Sequence, residues 1–331
     1  MAKHLILGIA TLLLFVANIF FGAVHLPASE VLAALTGSTG DDGAVSFIVL
    51  GSRLPQAVTA MLAGAGLGVS GLLLQTAFRN PLAGPSVLGI SSGASLGVAL
   101  VMLFMGGTLT VGSMSLAGNA AVVGGALAGS MAIMALLIAL SSIVRNDLML
   151  LITGIMIGYL TSSVVTLLSS LSTAQGVHGY VMWGMGTFGD VAPGQLPWFA
   201  SITIAGLILS LLLAKPLNLL LLGDNYARNL GVRVVAVRNL LLLATGLLTG
   251  VITAYCGPLA FIGMAVPHVA RFYYRTDNHW VLIPATMLTG AVVALGCNVV
   301  STIPDNTIIP INALTAIIGV PIILTVILRR R

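Results

Sequence analysis

Residues able to do chemistry are sparse in this chain, and they do not gather. Cys256 and Cys297 stand alone in apolar sequence, without the spacing of a metal or redox pair, and read as small buried hydrophobes. His268 is the only histidine inside an apolar run, toward one end of it. A path for bare Zn²⁺, Mn²⁺ or Fe²⁺ would need carboxylates or histidines along its length. No Ser/His/Asp set, carboxylate pair or metal-ligand cluster can be assembled at one depth, which disfavours an intramembrane enzyme. No Gly-rich phosphate loop ending in Gly-Lys-Ser/Thr is present. What remains is a set of hydroxyls in one apolar run: Thr153, Ser162, Ser163, Thr166, Ser169 and Ser170. They suit a large solute that is already chelated or neutral at its surface. They equally suit hydrogen bonds to their own helix backbone.

These residues are carried by a chain of 331 residues, 58% hydrophobic and 6% charged. A soluble domain has about a quarter charged residues, so the class is a polytopic membrane protein. A span takes roughly 20 apolar residues. Apolar runs lie at 5–24, 54–78, 87–105, 117–140, 148–171, 197–214, 239–255, 258–274, 281–301 and 308–328. The first is read as a retained span, because it lacks a clear cleavage site. Residues 239–270 carry no charge. As one helix these 32 residues would reach about 48 Å, but Cys256-Gly257-Pro258 can break it.

The basic residues decide the count. With a break there, Lys3, Arg79, Arg145, Lys215, Arg228, Arg233, Arg238, Arg271, Arg275 and Arg329 to Arg331 share one side, and Arg53 alone lies on the other. Without it the split is seven to six. Basic loops favour the cytoplasm. The sequence therefore predicts an all-α fold of ten transmembrane helices in a single domain, 1–331, with both termini cytoplasmic. All 21 charged residues (13 basic, 8 acidic) fall in loops or at span ends. That argues against proton coupling, and less firmly against Na⁺ coupling, since backbone carbonyls can bind Na⁺. Small residues four apart, as in Ala60/Gly64/Gly68, Ala121/Gly125/Gly129, Gly154/Gly158 and Gly246/Gly250, predict close helix packing. Trp183, Trp198 and Trp280 fall near span edges, and the terminal arginines read as an inner anchor rather than a nucleic-acid patch.

The most polar inner segment is 215–238. Asp224 or Asn225 can cap a short helix there and Gly231 can end it. It is either a simple surface helix or a docking element for a cytoplasmic partner.

Several segments together resemble the permease subunits of ATP-driven importers for vitamin B12, haem and iron-siderophores. They are Arg53-Leu54-Pro55; Gly71 and Gln75 with Asn80-Pro81-Leu82-Ala83-Gly84-Pro85 and Leu88-Gly89-Ile90-Ser91-Ser92-Gly93-Ala94; Met182-Trp183-Gly184-Met185-Gly186; Leu222-Gly223-Asp224 with Ala227 and Leu230-Gly231; Gly257-Pro258-Leu259-Ala260-Phe261-Ile262-Gly263 with Pro267-His268 and Arg271; and Pro310-Ile311-Asn312 with Thr315, Gly319 and Pro321. Their order and spacing span essentially the whole chain.

The resemblance implies a bacterial inner-membrane permease working as a homodimer or pseudo-dimer, with the pathway at the interface. It implies two ATPase subunits, which carry the ATP and Mg; this chain needs no cofactor. An outer binding protein would deliver the solute, a ferric siderophore or haem ahead of cobalamin. The coupling helix maps onto 222–232, with Gly223, Asp224, Ala227, Arg228, Leu230 and Gly231. Outer arginines of the B12 members pair with glutamates on the binding protein. Arg53 matches the first of these, but the second is Gln56 here and a further one is Thr302, so a full arginine cluster is missing. Arg53 is thus either a docking contact or an interfacial arginine. The inner gate maps to Asn146 and Asp147, or these form an ordinary loop in which Asp147 caps the fifth span. The fifth span, with Ser162, Ser163, Thr166, Ser169 and Ser170, lines the family's pathway. Pro81-Leu82-Ala83 and Pro258-Leu259-Ala260 echo each other on opposite sides, compatible with an inverted repeat. The rival readings are a secondary transporter without an ATPase partner and a membrane-embedded sensor or scaffold.

Overall fold

The computed structural model describes residues 2–37, 43–106, 108–111, 114–144, 147–303 and 309–329. Each of the ten apolar runs contains a helix. In order they are α1 (Ala2–Phe20), α2 (Ala28–Thr36), α3 (Gly43–Ser46), α4 (Leu54–Ala77), α5 (Ile90–Ala99), α6 (Asn119–Ile143), α7 (Asp147–Leu171), α8 (Ala174–Gly184), α9 (Leu196–Leu212), α10 (Ala214–Leu220), α11 (Asp224–Asn229), α12 (Val234–Cys256), α13 (Ile262–Tyr274), α14 (His279–Ser301) and α15 (Ile311–Arg329). A π-helical turn, Phe47–Arg53, leads into α4, and another, Leu100–Phe104, extends α5. The all-α expectation needs one amendment. A short antiparallel hairpin, β1 (Thr108–Val111) with β2 (Met114–Ala117), joins α5 to α6, Thr108 facing Ala117.

Among the described residues, six helical segments are long and apolar enough to cross a membrane: Ala2–Phe20, Gly43–Ala77, Asn119–Ser141, Met149–Leu171, Val234–Cys256 and His279–Ser301. The pair α9 and α10, bent by 49°, makes a seventh candidate, while Ile90–Phe104 and Ile311–Val326 are apolar but shorter. The uncharged stretch 239–270 is broken as its Gly-Pro pair requires, with Gly257 at φ 77° ending α12.

Close packing accounts for the glycine content. A Cβ on Gly64 would stand 2.1 Å from the Gly290 carbonyl oxygen, and one on Gly71 would stand 1.6 Å from that of Gly263. Helix α4 therefore lies backbone to backbone on α14 and α13. Helices α5 and α6 meet in the same way, where a Cβ on Gly97 would be 1.9 Å from the Gly125 oxygen. Gly246 and Gly250 admit Met134 and Ser130 of α6 against α12. Small residues permit such approach where lipid supplies no hydrophobic drive between helices.

The packing repeats. Helix α5 lies on α6 and α7 as α13 lies on α14 and α15, and α4 lies on α14 and α13 as α12 lies on α6 and α5. Exchanging α4, α5, α6, α7 for α12, α13, α14, α15 preserves these contacts, as an internal repeat would.

Long-range polar contacts sort into two groups. Lys3 donates to the Tyr273 carbonyl at 2.7 Å, His4 meets the Tyr274 hydroxyl at 2.6 Å, and Asn218 bonds His279 at 2.8 Å. Elsewhere Asn119 donates to the Asp190 carbonyl at 3.1 Å, the Thr187 amide to Cys256 at 3.0 Å, and the Ala260 amide to Asn312 at 3.1 Å. The first group joins only residues assigned from charge to the inner side, and the second only residues assigned to the outer side.

Candidate functional site

A well-defined feature at the end rich in basic residues is the segment α10–α11. Helix α11 starts after Gly223 (φ 105°) and is closed by Gly231 (φ 84°), whose amide returns to the Arg228 carbonyl at 2.9 Å, while Val232 returns to Ala227 at 3.0 Å. A left-handed residue just past a helix end is the position glycine fills at low cost. Asp224 does not act as a side-chain cap. It accepts from Arg79, just after α4, at 2.5 Å and lies 3.5 Å from Arg238 of α12. Capping predicted an acid at this place but not its partners, because Arg79 is 145 residues away in sequence.

Ala227 is fully buried in one core with Leu72 and Leu73 of α4, Leu217 and Leu220 of α10, and Leu241 of α12. The opposite face of the segment exposes Leu222, Tyr226 and Leu230, and Arg228 is also exposed. An open groove of about 520 Å³ runs beside it, lined by Arg79, Gly223, Asp224, Tyr226 and Asn229. The arrangement is a small rigid helix, anchored on one side and apolar on the other.

Nearby, His268 donates through Nε2 to the Pro81 carbonyl at 2.7 Å. Arg271 donates to Gln75 at 2.6 Å, and Gln75 donates in turn to the Met264 carbonyl at 3.0 Å. His268 is thus held by a hydrogen bond, and among the described residues no group of three His, Cys, Asp or Glu could hold a metal ion. The proposed gate residue Asn146 and the side chain of Asp147 lie outside the described residues.

Helix α7 exposes Ser162, Ser163, Thr166 and Ser170, with Ser169 half-buried. Yet Ser163, Thr166, Ser169 and Ser170 each donate to a carbonyl three or four residues back, at 2.8 to 3.0 Å. Thr153 does the same at 2.8 Å. These five hydroxyl protons are spent within the helix, so these residues offer lone pairs rather than donors.

At the end opposite α11 lies Arg53. Arg53 is 5% exposed. Its Nη1 donates to the carbonyls of Ile19 and Phe20 at 2.9 Å each, and its Nη2 donates to Val24. The carbonyls freed where α1 ends need donors, and this guanidinium supplies them. Gly22 makes room, since a Cβ there would come 2.8 Å from Arg53 Nε. The guanidinium thus ties the end of α1 to the turn that leads into α4. Gln56 is also engaged. It donates to Asn298 at 3.0 Å, and Asn298 donates to Asn18 at 2.6 Å, so a buried chain of amides joins α4, α14 and α1.

The sequence reading missed the outer cavity. It measures about 760 Å³, and Met102, Asn119, Met182, Trp183, Thr187 and Asp190 contribute to its wall. Helix α8, which forms one side, was absent from the apolar runs. Its signal was Thr173, which caps it by accepting from the Gly176 amide at 3.2 Å. Trp183, read as an interfacial indole, instead faces this cavity, whereas Trp198 and Trp280 are exposed. Desolvation pushes the Asp190 carboxyl above its ordinary value. Asn312, at the start of α15, accepts from the Ala260 amide at 3.1 Å, and its own amide donates to the Met185 carbonyl at 3.1 Å beside the cavity.

The fold and these features are those of a helical membrane protein with a backbone-packed core, a short anchored surface helix and a cavity. The chain belongs to the FecCD transport family, matching it over residues 10–329, and so to the permeases of ABC importers. It is 35% identical to the hemin transport system permease protein HmuU of Yersinia pestis, over 99% of this chain and 96% of that one. It is 35% identical to the vitamin B12 import system permease protein BtuC of Salmonella arizonae, over 84% and 82%. A solved structure of a metal-chelate type ABC transporter, in an inward-facing conformation, superposes with a TM-score of 0.83 at 29% identity, covering 98% of this chain and 99% of that one.

Proposed function

We propose that this chain is the membrane-spanning subunit of an ATP-driven importer that moves a metal chelate across the inner membrane of a bacterium. Ferric siderophore and haem come first as substrates, with cobalamin next. The observation that carries the reading is α11: Ala227 in the core, Asp224 tied to Arg79, and Leu222, Tyr226 and Leu230 left exposed. A helix anchored on one face and apolar on the other, at the end the basic residues mark as cytoplasmic, fits a coupling helix seated on an ATPase. Two ATPase subunits would supply the ATP and Mg chemistry, and a second copy of the permease would complete the pathway.

Ten crossings with both termini inside fit the sorting of polar contacts. The pairing of Lys3 and His4 with Tyr273 and Tyr274 needs an even number of crossings between them. Helix α7 would face the pathway between the two copies. Ser163, Thr166, Ser169 and Ser170 with their protons committed, and Ser162 beside them, would make a face that lets a chelate pass without holding it. Asn146 and Asp147 would close the inner end of that path. The delivery protein would dock on the outer loops around the 760 Å³ cavity, with Arg53 and Gln56 beneath the contact surface rather than in it.

The test is uptake by vesicles holding the permease with its ATPase and binding protein, comparing haem, ferric siderophores and cobalamin. Uptake should follow ATP hydrolysis. Uptake by the permease alone, driven by an ion gradient, would instead establish a secondary transporter, and absence of any flux would favour a sensor or scaffold.

A further inference from the structure

We propose that the inner end of α4 receives the movement of the coupling helix, through two polar ties: Asp224 on Arg79, and His279 on Thr76 and Asn218. This rests on the reading of α11 as the coupling helix and names the element it drives.

The loop joins α9 to α12 in sequence, so those helices would be its expected outlets. Its side chains also reach α4 and α14, which are distant in sequence. Asp224 accepts from Arg79 at 2.5 Å, directly beyond the last turn of α4, and reaches Arg238 of α12 only at 3.5 Å. Asn218 of α10 accepts from the His279 backbone amide and meets its Nδ1, both at 2.8 Å, and the other ring nitrogen bonds Thr76 of α4 at 2.9 Å. His279 is 1% exposed, so this tie is a built interior contact. Between the two ties Ala227 shares one core with Leu72 and Leu73 of α4. The space left where Thr76, Arg79, Leu220, Asp224 and Arg238 meet is about 10 Å³, at the limit for one water. Packed groups without slack move together. From α4 the displacement passes to α14 and α13, on which α4 lies backbone to backbone at Gly64/Gly290 and Gly71/Gly263.

The experiment uses the full complex in vesicles and reads transport per ATP hydrolysed. The double variant Arg79→Cys, Asp224→Cys should hydrolyse ATP but transport about tenfold less per ATP. Bridging the two thiols with a flexible bifunctional maleimide should restore the ratio; the native Cys256 and Cys297 are buried. The charge exchange Arg79→Asp, Asp224→Arg should also retain most of it. A merely structural pair would lower yield and thermal stability without changing the ratio. An unchanged ratio in the double Cys variant overturns the inference while leaving the importer reading intact. Wild-type uptake that persists without ATP hydrolysis overturns the importer reading and this inference with it.

Discussion

The two Pro-Leu-Ala connectors are built alike and used differently. Each follows a long helix, α4 or α12, precedes a shorter one, α5 or α13, and is pinned by a polar side chain from another helix. His268 holds the Pro81 carbonyl, and Asn312 holds the Ala260 amide. The connector after α4 is longer, starts at the cationic Arg79 (φ 45°) and touches α11 through Asp224. The one after α12 is short, uncharged and wedged against the end of α8, with the Thr187 amide on the Cys256 carbonyl at 3.0 Å. A repeated scaffold thus presents charge at one end and uncharged, tight packing at the other. The end with exposed ion pairs is suited to being pushed by a partner, and the tight end to shaping a cavity.

Backbone strain gives the sharpest test of that contrast. Gly257 sits at φ 77°, ψ 178°, a region that is almost exclusive to glycine, and a Cβ there would lie 2.5 Å from the Trp183 carbonyl oxygen. Gly89 sits at φ 78°, ψ 2°, an ordinary left-handed conformation, and its Cβ would meet the Gly154 oxygen at 3.0 Å. Strain and overpacking together should make Gly257→Ala cost about 3 kcal/mol or more. Gly89→Ala should cost about 1–2 kcal/mol. Thermal unfolding of the purified permease checks the order. Equal losses would mean that the two connectors are equally tight, and the contrast between the ends would fall.

The pins should differ in the same sense, by less. Asn312→Ala leaves the half-buried Ala260 amide without its acceptor and also loses the 3.5 Å bond to the Gly184 carbonyl, at a cost of about 2 kcal/mol. His268→Ala frees the half-exposed Pro81 carbonyl, which water can reach, at a cost of about 1 kcal/mol. Unfolding midpoints of the two variants give the comparison. A larger loss at His268 would show that the inner connector is the more dependent on its pin.

Much of this was legible in the sequence because the membrane makes it so. Apolar runs of span length gave the positions of ten helices, Gly-Pro at 257–258 marked a break, and small residues four apart marked the α4, α6 and α12 contacts. Helix α8 was missed because it is short and only moderately apolar, and the hairpin 108–117 because it lies between two spans where hydropathy carries no pattern. Side-chain partners were not legible at all. Asp224 with Arg79, His279 with Thr76 and Asn312 with Ala260 are separated by 145, 203 and 52 residues, and only the fold brings them together. The partners of Arg53 were hidden for the same reason. Charge counting put it on the outer side, but nothing in its neighbourhood announced that the end of α1 would enclose it.

Arg53 supplies the smallest expected effect, and the one that separates the two ends most directly. If its guanidinium belongs to the fold, Arg53→Gln should lower the unfolding midpoint, because three carbonyls lose a charged donor. The rate at which the delivery protein associates should change less than about twofold at low salt, since long-range steering requires an accessible charge. At the inner end the opposite holds, because the partly exposed Arg79–Asp224 pair lies where an ATPase would sit. Stopped-flow association across a salt series reads the outer effect, and the unfolding curve reads the structural one. A manyfold slower association with a flattened salt dependence would mean that Arg53 leaves its carbonyls when the complex forms. The outer end would then also carry a movable charge, and the asymmetry between the ends would be a property of the resting state alone.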